Sequence, residues 1–227
     1  MRNPAIADIT LSGAVVRLEP LDRHHVDQLV RASSQGGELY RWSPVPASLD
    51  AARAYVETAL EWKAEGRALA FATIHQQSGQ VIGSTRFFDV ARWRWPADHD
   101  RAAVDVVDTC EIGYTWLSPS AVRTGANTEA KFLMLSHAFE TWRACSVCFH
   151  ADARNARSRA ALERLGAQFE GVLRSHRLAA DLIPRDSARF SIVAADWPQI
   201  RERLRGLLAA RGQQNSMHNT ASIGPSG

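Results

Sequence analysis

The sequence is short of several things, and each shortage narrows what the protein can be. It has no run of roughly 18 apolar residues, so no segment reads as a membrane-spanning helix. The opening residues carry Asp8 where a secretion signal would need an apolar core. Three cysteines (Cys110, Cys145 and Cys148) are too few for a disulfide framework and suit a reducing compartment, so a cytoplasmic location is expected. Neither sign of charge dominates. The net is +3 with a pI near 9, mild support for an acidic ligand but not the profile of a nucleic-acid binder. No internal repeat is present, and no serine sits in a nucleophile-elbow sequence. Cys145 and Cys148 precede His150, but strand residues three apart face opposite ways and a second ligand pair is missing, so no metal is expected. Residues 212–227 hold no Asp, Glu, Lys or Arg and little apolar mass, which predicts a disordered tail.

What is present describes an ordinary globular chain. Its 227 residues are 45% apolar and 22% charged, enough for one well-buried domain. A strand is expected over 14–19, closed by Pro20. Asp22 is placed to cap a helix near His24, and Ser48 or Asp50 a second one ending before Gly66. Gln76-Gln77-Ser78-Gly79 reads as the turn of a hairpin. Residues 90–108 show no period and read as an inserted loop. Further strands are expected at 110–117, 146–151, 169–178 and 188–193. Helices are expected at 128–142, 156–165 and 196–211. Strands and helices mix without strict alternation. The fold class is therefore α/β with a mixed, mostly antiparallel sheet and helices on both faces, in one domain over 14–195 after a lead-in of 1–13.

One stretch organises the rest. The strand Glu111–Leu117 breaks at Pro119, turns at Gly125 and opens a helix near Thr128. The N–H groups of such a turn and of the first helical turn point one way, and the helix dipole adds positive potential. This is an anion cradle suited to a pyrophosphate. No Gly-Lys-Ser/Thr follows Gly125, and the three-glycine spacing is missing, so it is neither a nucleotide triphosphatase loop nor a dinucleotide fingerprint.

Several phrases together carry a family likeness. They are Val122-Arg123-Thr124-Gly125-Ala126-Asn127 before a helix, Glu111-Ile112-Gly113-Tyr114, and Asn155 with Ser158, Arg164 and Gly166. Val16-Arg17-Leu18-Glu19-Pro20-Leu21 joins them at the start. The chain resembles the GNAT superfamily of acyl-CoA-dependent N-acyltransferases, in particular the branch of bacterial enzymes that acetylate ribosomal-protein N-termini (the RimJ/RimL type). It departs at two positions: Val122 replaces a polar residue and Asn127 a small one.

The resemblance implies an acetyl-CoA-dependent N-acetyltransferase acting on a primary amine, a protein N-terminus or a small molecule, by direct attack on the thioester. The amides of Arg123, Thr124, Gly125, Ala126, Asn127 and Thr128 would hold the pyrophosphate. The backbone of Trp116 and Leu117 would pair with the pantetheine arm, and Asn155 would bond its amide. Ser158 is placed like the donor to the leaving thiolate. Glu111 is the expected base, with His176 as the alternative. Tyr40, Trp42, Trp93 and Trp95 are expected to wall the acceptor pocket. A homodimer through the aromatic loop is a further expectation. A non-catalytic acyl-CoA-binding module is the competing reading.

Overall fold

The computed structural model describes residues 6–102, 106–179 and 181–221, and of 212–221 the backbone only. Local chemistry sets the first elements. The Asp22 carboxylate accepts from Arg23 N, while His25 Nδ1 accepts from Asp22 N at 3.1 Å; this reciprocal cap opens the turn leading into α1 (Val26–Ser33). Of the two expected caps for α2 (Leu49–Ala64), Ser48 serves, accepting from Ala51 N at 3.2 Å.

Eight strands form one sheet among the described residues. They are β1 (Leu11–Ser12), β2 (Val16–Pro20), β3 (Leu69–His75), β4 (Val81–Ala91), β5 (Thr109–Leu117), β6 (Ser146–Asp152), β7 (Gln168–Leu178) and β8 (Pro184–Val193). The order across the sheet is β1-β2-β3-β4-β5-β6-β8-β7, and only the β5–β6 pair is parallel. The mixed, mostly antiparallel sheet expected from the sequence is therefore the one found. Alternation along β3 separates two cores. Leu69 and Phe71 face α3 (Ala126–Ser136), α4 (Ala156–Leu165) and α5 (Trp197–Ala221), whereas Ala70, Ala72 and Ile74 face α1 and α2.

Three details differ from the sequence reading. Helix α3 starts at Ala126, two residues before Thr128, because Gly125 adopts φ +102° and turns the chain directly into the helix. Helix α5 runs past residue 211 to Ala221, since no glycine or proline between 213 and 221 stops it; residues 222–227, the rest of the expected tail, lie outside the described residues. The third concerns β5, where the expected strict alternation fails. Ser84 faces Trp116 and Arg86 faces Gly113, so Tyr114 and Thr115 together oppose Thr85 in a bulge, with Tyr114 at φ +50°. The extra residue swaps the faces: Ile112 and Leu117 both join the larger core, and Trp116 the smaller one. Gly83 allows this close approach, because a β-carbon there would lie 2.1 Å from the Trp116 carbonyl oxygen.

Among the described residues no helix is long and apolar enough to cross a membrane.

Candidate active site

Strands β5 and β6 pair only from Thr109 to Glu111, where Glu111 faces Cys148. Beyond that point they part, although β6 continues along β8 to Asp152. The N–H and C=O groups on one side of residues 112–117 are thus left without a neighbouring strand, and such groups need partners. A cavity of about 600 Å³ fills the gap. Its walls include Gly113 to Leu117 of β5, Phe149 to Asp152 of β6, Asn155 at the cap of α4, and Ser158 and Ala161 within it. Apolar side chains share the lining with several arginines, Lys131, Glu111 and Asp152, which suits a small ligand that carries charge.

The loop before α2 covers this gap. The Tyr40 hydroxyl donates to the Leu117 carbonyl at 2.9 Å, and its ring packs edge-on to Trp116. Arg157 Nη2 donates to the Leu39 carbonyl at 2.6 Å. Trp42 lies under the Arg154 guanidinium, 4.2 Å from ring centre to Cζ. Tyr40 and Trp42 therefore line the cavity, the Leu117 carbonyl on this side already has its partner, and the Trp116 carbonyl is turned toward Gly83 of β4, which leaves Thr115 as the strand backbone facing the gap.

The turn after β5 is built as a cradle. Thr124 Oγ1 donates to the Ala121 carbonyl at 2.8 Å and accepts from Ala126 N at 3.3 Å. The first intrahelical bond is Glu129 N to Gly125 O, at 3.0 Å. Asn127 and Thr128 N–H groups precede that bond and have no helical acceptor. The helix is aimed by its own first turn: the Glu129 carboxylate accepts from Ala14, Val15 and Val16 N–H at 2.9, 2.7 and 2.6 Å. Of the residues expected to bind cofactor here, Arg123 and Asn127 line the cavity; Thr124, Gly125, Ala126 and Thr128 shape the turn without lining it. Val122 lines it too.

At α4, Asn155 Oδ1 accepts from Ser158 N at 3.0 Å, so the amide NH2 is what Asn155 has left to offer a ligand. Ser158 stands in the first turn of α4 on the cavity wall.

Glu111 sits at the last paired position before the strands part, 2% exposed. Arg177 from β7 grips it, with Nη2 to Oε2 at 2.8 Å and Nη1 to Oε1 at 3.2 Å. His150 Nδ1 lies 2.9 Å from Oε2, close enough for an ion pair but off the hydrogen-bonding direction, and neither ring nitrogen of His150 has a hydrogen-bond partner. His150 lines the cavity. His176 does not; it packs against His150 at 4.7 Å between ring centres. Burial, then the nearby Arg177 and His150 charges, holds the His176 pKa below the usual imidazole value. Cys148, His150 and Glu111 offer ligand atoms within 4.8 Å of one another, but the Arg177 guanidinium already occupies the carboxylate.

Trp93 and Trp95 are elsewhere. Asp108, 1% exposed, accepts from Trp93 N at 2.6 Å, Trp95 Nε1 at 3.0 Å and Arg101 Nε at 3.0 Å. A buried carboxylate must collect donors, and this one pulls both tryptophans into a separate depression. The aromatic loop is pinned by its own acid instead of reaching the cavity.

The acetyltransferase (GNAT) domain family matches residues 16–168. The chain belongs to the GNAT acetyltransferase family. It is an acetyl-transferring enzyme, and the family draws its acetyl group from acetyl-CoA. A GCN5-related N-acetyltransferase from Brucella melitensis is 28% identical, with a TM-score of 0.74 over 90% of this chain and 87% of that one. A candidate acetyltransferase from T. thermophilus is 34% identical, with a TM-score of 0.71 over 90% and 98%. Mycobacterium smegmatis RimJ, solved with a CoA disulfide, shares the fold at 22% identity, with a TM-score of 0.69 over 92% and 96%. No curated protein sequence matches the chain.

Lys131 is a cavity residue of this GNAT enzyme that the sequence reading missed. It is 4% exposed, and its Nζ donates to Thr115 Oγ1 at 2.5 Å and Thr85 Oγ1 at 3.1 Å. Burial alone brings its pKa down to about 7. The unfolded chain holds this proton up to about pH 10.5, the folded chain only to about 7. The lysine therefore costs nothing above pH 10.5, and the cost accrues as pH falls to about 7. Lys131→Met should raise Tm at pH 7 by ~2–8 °C, about 1–2 kcal/mol after the lost hydroxyl bonds. The gain should vanish by pH 10. Thr85 and Thr115 already share a hydrogen bond of 2.8 Å and would keep it. A gain independent of pH, or no gain, in a melting series from pH 6 to 10 would refute the assignment.

Proposed function

We propose that this GNAT enzyme transfers the acetyl group of acetyl-CoA to a primary amine, on a peptide N-terminus or a small molecule, by direct attack of the amine. The observation that carries this reading is the gap between β5 and β6. One gap offers an unpaired strand edge, leads to the glycine turn at the N-terminus of α3, and has the Glu111–Arg177 pair with His150 beside it at its closed end. An extended amide-bearing arm with a diphosphate at one end has the matching chemistry. The fold relative that holds a CoA disulfide agrees with it.

Acetyl-CoA supplies the activated acyl carbon. The N–H groups of Asn127 and Thr128 and the Arg123 side chain hold phosphate oxygens at the positive end of α3. The backbone of β5 at Thr115, beyond its last pairing with β6, and the Asn155 amide line up the amide-bearing arm. Ser158 donates a hydrogen bond to the sulfur that leaves. The attacking amine must lose a proton, and we assign its acceptor to His150, a cavity-lining residue whose two buried ring nitrogens have no hydrogen-bond partner. Glu111 stands 2.9 Å away and stabilises the imidazolium that forms. This moves the base from Glu111, gripped by a guanidinium, to its neighbour. His176 takes a supporting place beside His150.

The test is a calorimetric titration with acetyl-CoA, followed by a panel of N-terminal peptides and small amines with thiol detection. Saturable binding and thiol release with one acceptor class is the expected result. Saturable binding with no thiol released by any amine sinks the amine-acceptor reading.

A further inference from the structure

Helix α5 changes character along one face. Trp197, Ile200, Leu204 and Leu207 fall on a single helical stripe, the first three buried in the larger core and the fourth packed against it. The next position on that stripe is Arg211. Its side chain does not leave for solvent. Nη1 donates to the Arg123 carbonyl at 2.7 Å, and Cδ lies 3.3 Å from where a β-carbon on Gly125 would be. Arg211 also lines the main cavity.

The charge balance at this point is one-sided. The N-terminus of α3 is already the positive end of a helix dipole. Arg123 joins it from the turn and Arg211 from α5, and among the described residues no carboxylate pairs with either. Glu129, the acid of the first turn of α3, faces away and is bonded to the Ala14–Val16 amides. Two arginines and a helix N-terminus thus line one end of the same cavity, which favours an anion there.

We propose that Arg211 is a ligand-binding residue for the diphosphate of the acyl donor, delivered to the glycine turn by the C-terminal helix. This rests on the acetyl-CoA reading above. Nη1 on the Arg123 carbonyl fixes the plane of the guanidinium, and the remaining N–H groups present a fork that matches two phosphate oxygens. The anion is then held from two sides, by turn amides and by this fork. The same arrangement gives Gly125 a second duty. The turn needs a positive φ, and the arginine stem needs the space where a side chain would be. The stripe of α5 accordingly serves the core for its first three turns and the ligand at its fourth.

Titrating acetyl-CoA, dephospho-CoA and pantetheine into the full chain tests this, using wild type, Arg211→Gln, Arg211→Lys and Arg205→Gln. Arg205 is an exposed α5 arginine bonded to Glu202 and serves as the control. Arg211→Gln should weaken acetyl-CoA and dephospho-CoA alike, by about tenfold to a hundredfold. It should leave pantetheine unchanged, flatten the salt dependence of binding and keep the wild-type melting temperature. Arg211→Lys should fall between, and Arg205→Gln should match wild type. Equal affinity in Arg211→Gln would overturn the proposal. So would tighter binding, which would make the side chain an obstruction. A loss for acetyl-CoA but not dephospho-CoA would place Arg211 on the ribose phosphate and overturn the diphosphate assignment. A wild-type protein that binds none of the three ligands would instead remove the acetyl-CoA reading, and this inference with it.

Discussion

Gly125→Glu should abolish acetyl-CoA binding, at least a hundredfold or about 3 kcal/mol, in a protein that still folds. Two costs act on the fold, and both are small. The residue sits at φ +102°, where a side chain costs about 1–2 kcal/mol. The new β-carbon would meet only the Arg211 stem at 3.3 Å, and a flexible stem can move. The new carboxylate would also sit at the N-cap of α3, where acids are favourable. It would thereby occupy the amides that a phosphate needs and repel the phosphate as well. Gly125→Ala separates the two effects, with the strain but no charge, and should lose about tenfold through the displaced arginine and the crowded turn. Calorimetry against acetyl-CoA with parallel melting curves reads both. If Gly125→Glu keeps wild-type affinity, the anion site is not at this turn.

That turn was legible in the sequence because everything it needs is local. Pro119 stops the strand, Gly125 permits the dihedral, and the helix follows at once. Asn155 and Ser158 came from the family resemblance, and the bond that joins them, Ser158 N to Asn155 Oδ1, is a one-turn pattern. The bulge at Tyr114–Thr115 was not legible, because it is defined against β4 and not along β5. The parting of β5 from β6 follows from the resemblance, which puts the pantetheine arm on the β5 backbone; residue by residue, each strand reads as continuous. The charges were missed by distance. Arg177 reaches Glu111 across 66 positions and Arg211 reaches the turn across 88. His150 enters the sequence reading only beside the cysteines, where no metal is expected. Its place on β6, two residues past the last pair with β5, comes from pairing. Trp93 and Trp95 were misplaced because composition suggests stacking, while Asp108 (the last residue of the loop) decides where they go. Lys131 carried one available signal: a lysine four residues after Asn127 shares its helix face, and Asn127 is itself expected at the ligand.

The ion pair at the closed end of the gap yields the second large effect, and its two halves should respond unequally. Arg177→Ala leaves the Glu111 carboxylate 2% exposed and without the guanidinium that hydrogen-bonds both its oxygens. An uncompensated buried charge of this kind costs about 3–5 kcal/mol, which for a chain of this size is ~6–20 °C in Tm. Glu111→Gln removes the charge and keeps the shape and an acceptor oxygen, while Arg177, 28% exposed, still has Asp89 at 3.1 Å. Its stability loss should be the smaller one, about 1–2 kcal/mol. The double variant Arg177→Ala with Glu111→Gln should then be more stable than Arg177→Ala alone, since the orphaned charge has gone with its partner. Turnover should rank differently. Glu111→Gln should lose at least tenfold in kcat with unchanged acetyl-CoA affinity, because the imidazolium at His150 loses its counter-charge and the phosphate cradle is untouched. His150→Gln should lose as much, and adding Glu111→Gln to it should cost little more, as expected of two groups serving one proton transfer. Full kcat in Glu111→Gln would remove the carboxylate from the reaction. Full additivity with His150→Gln would separate the pair. A double variant no more stable than Arg177→Ala would mean that the buried charge is not what that substitution exposes.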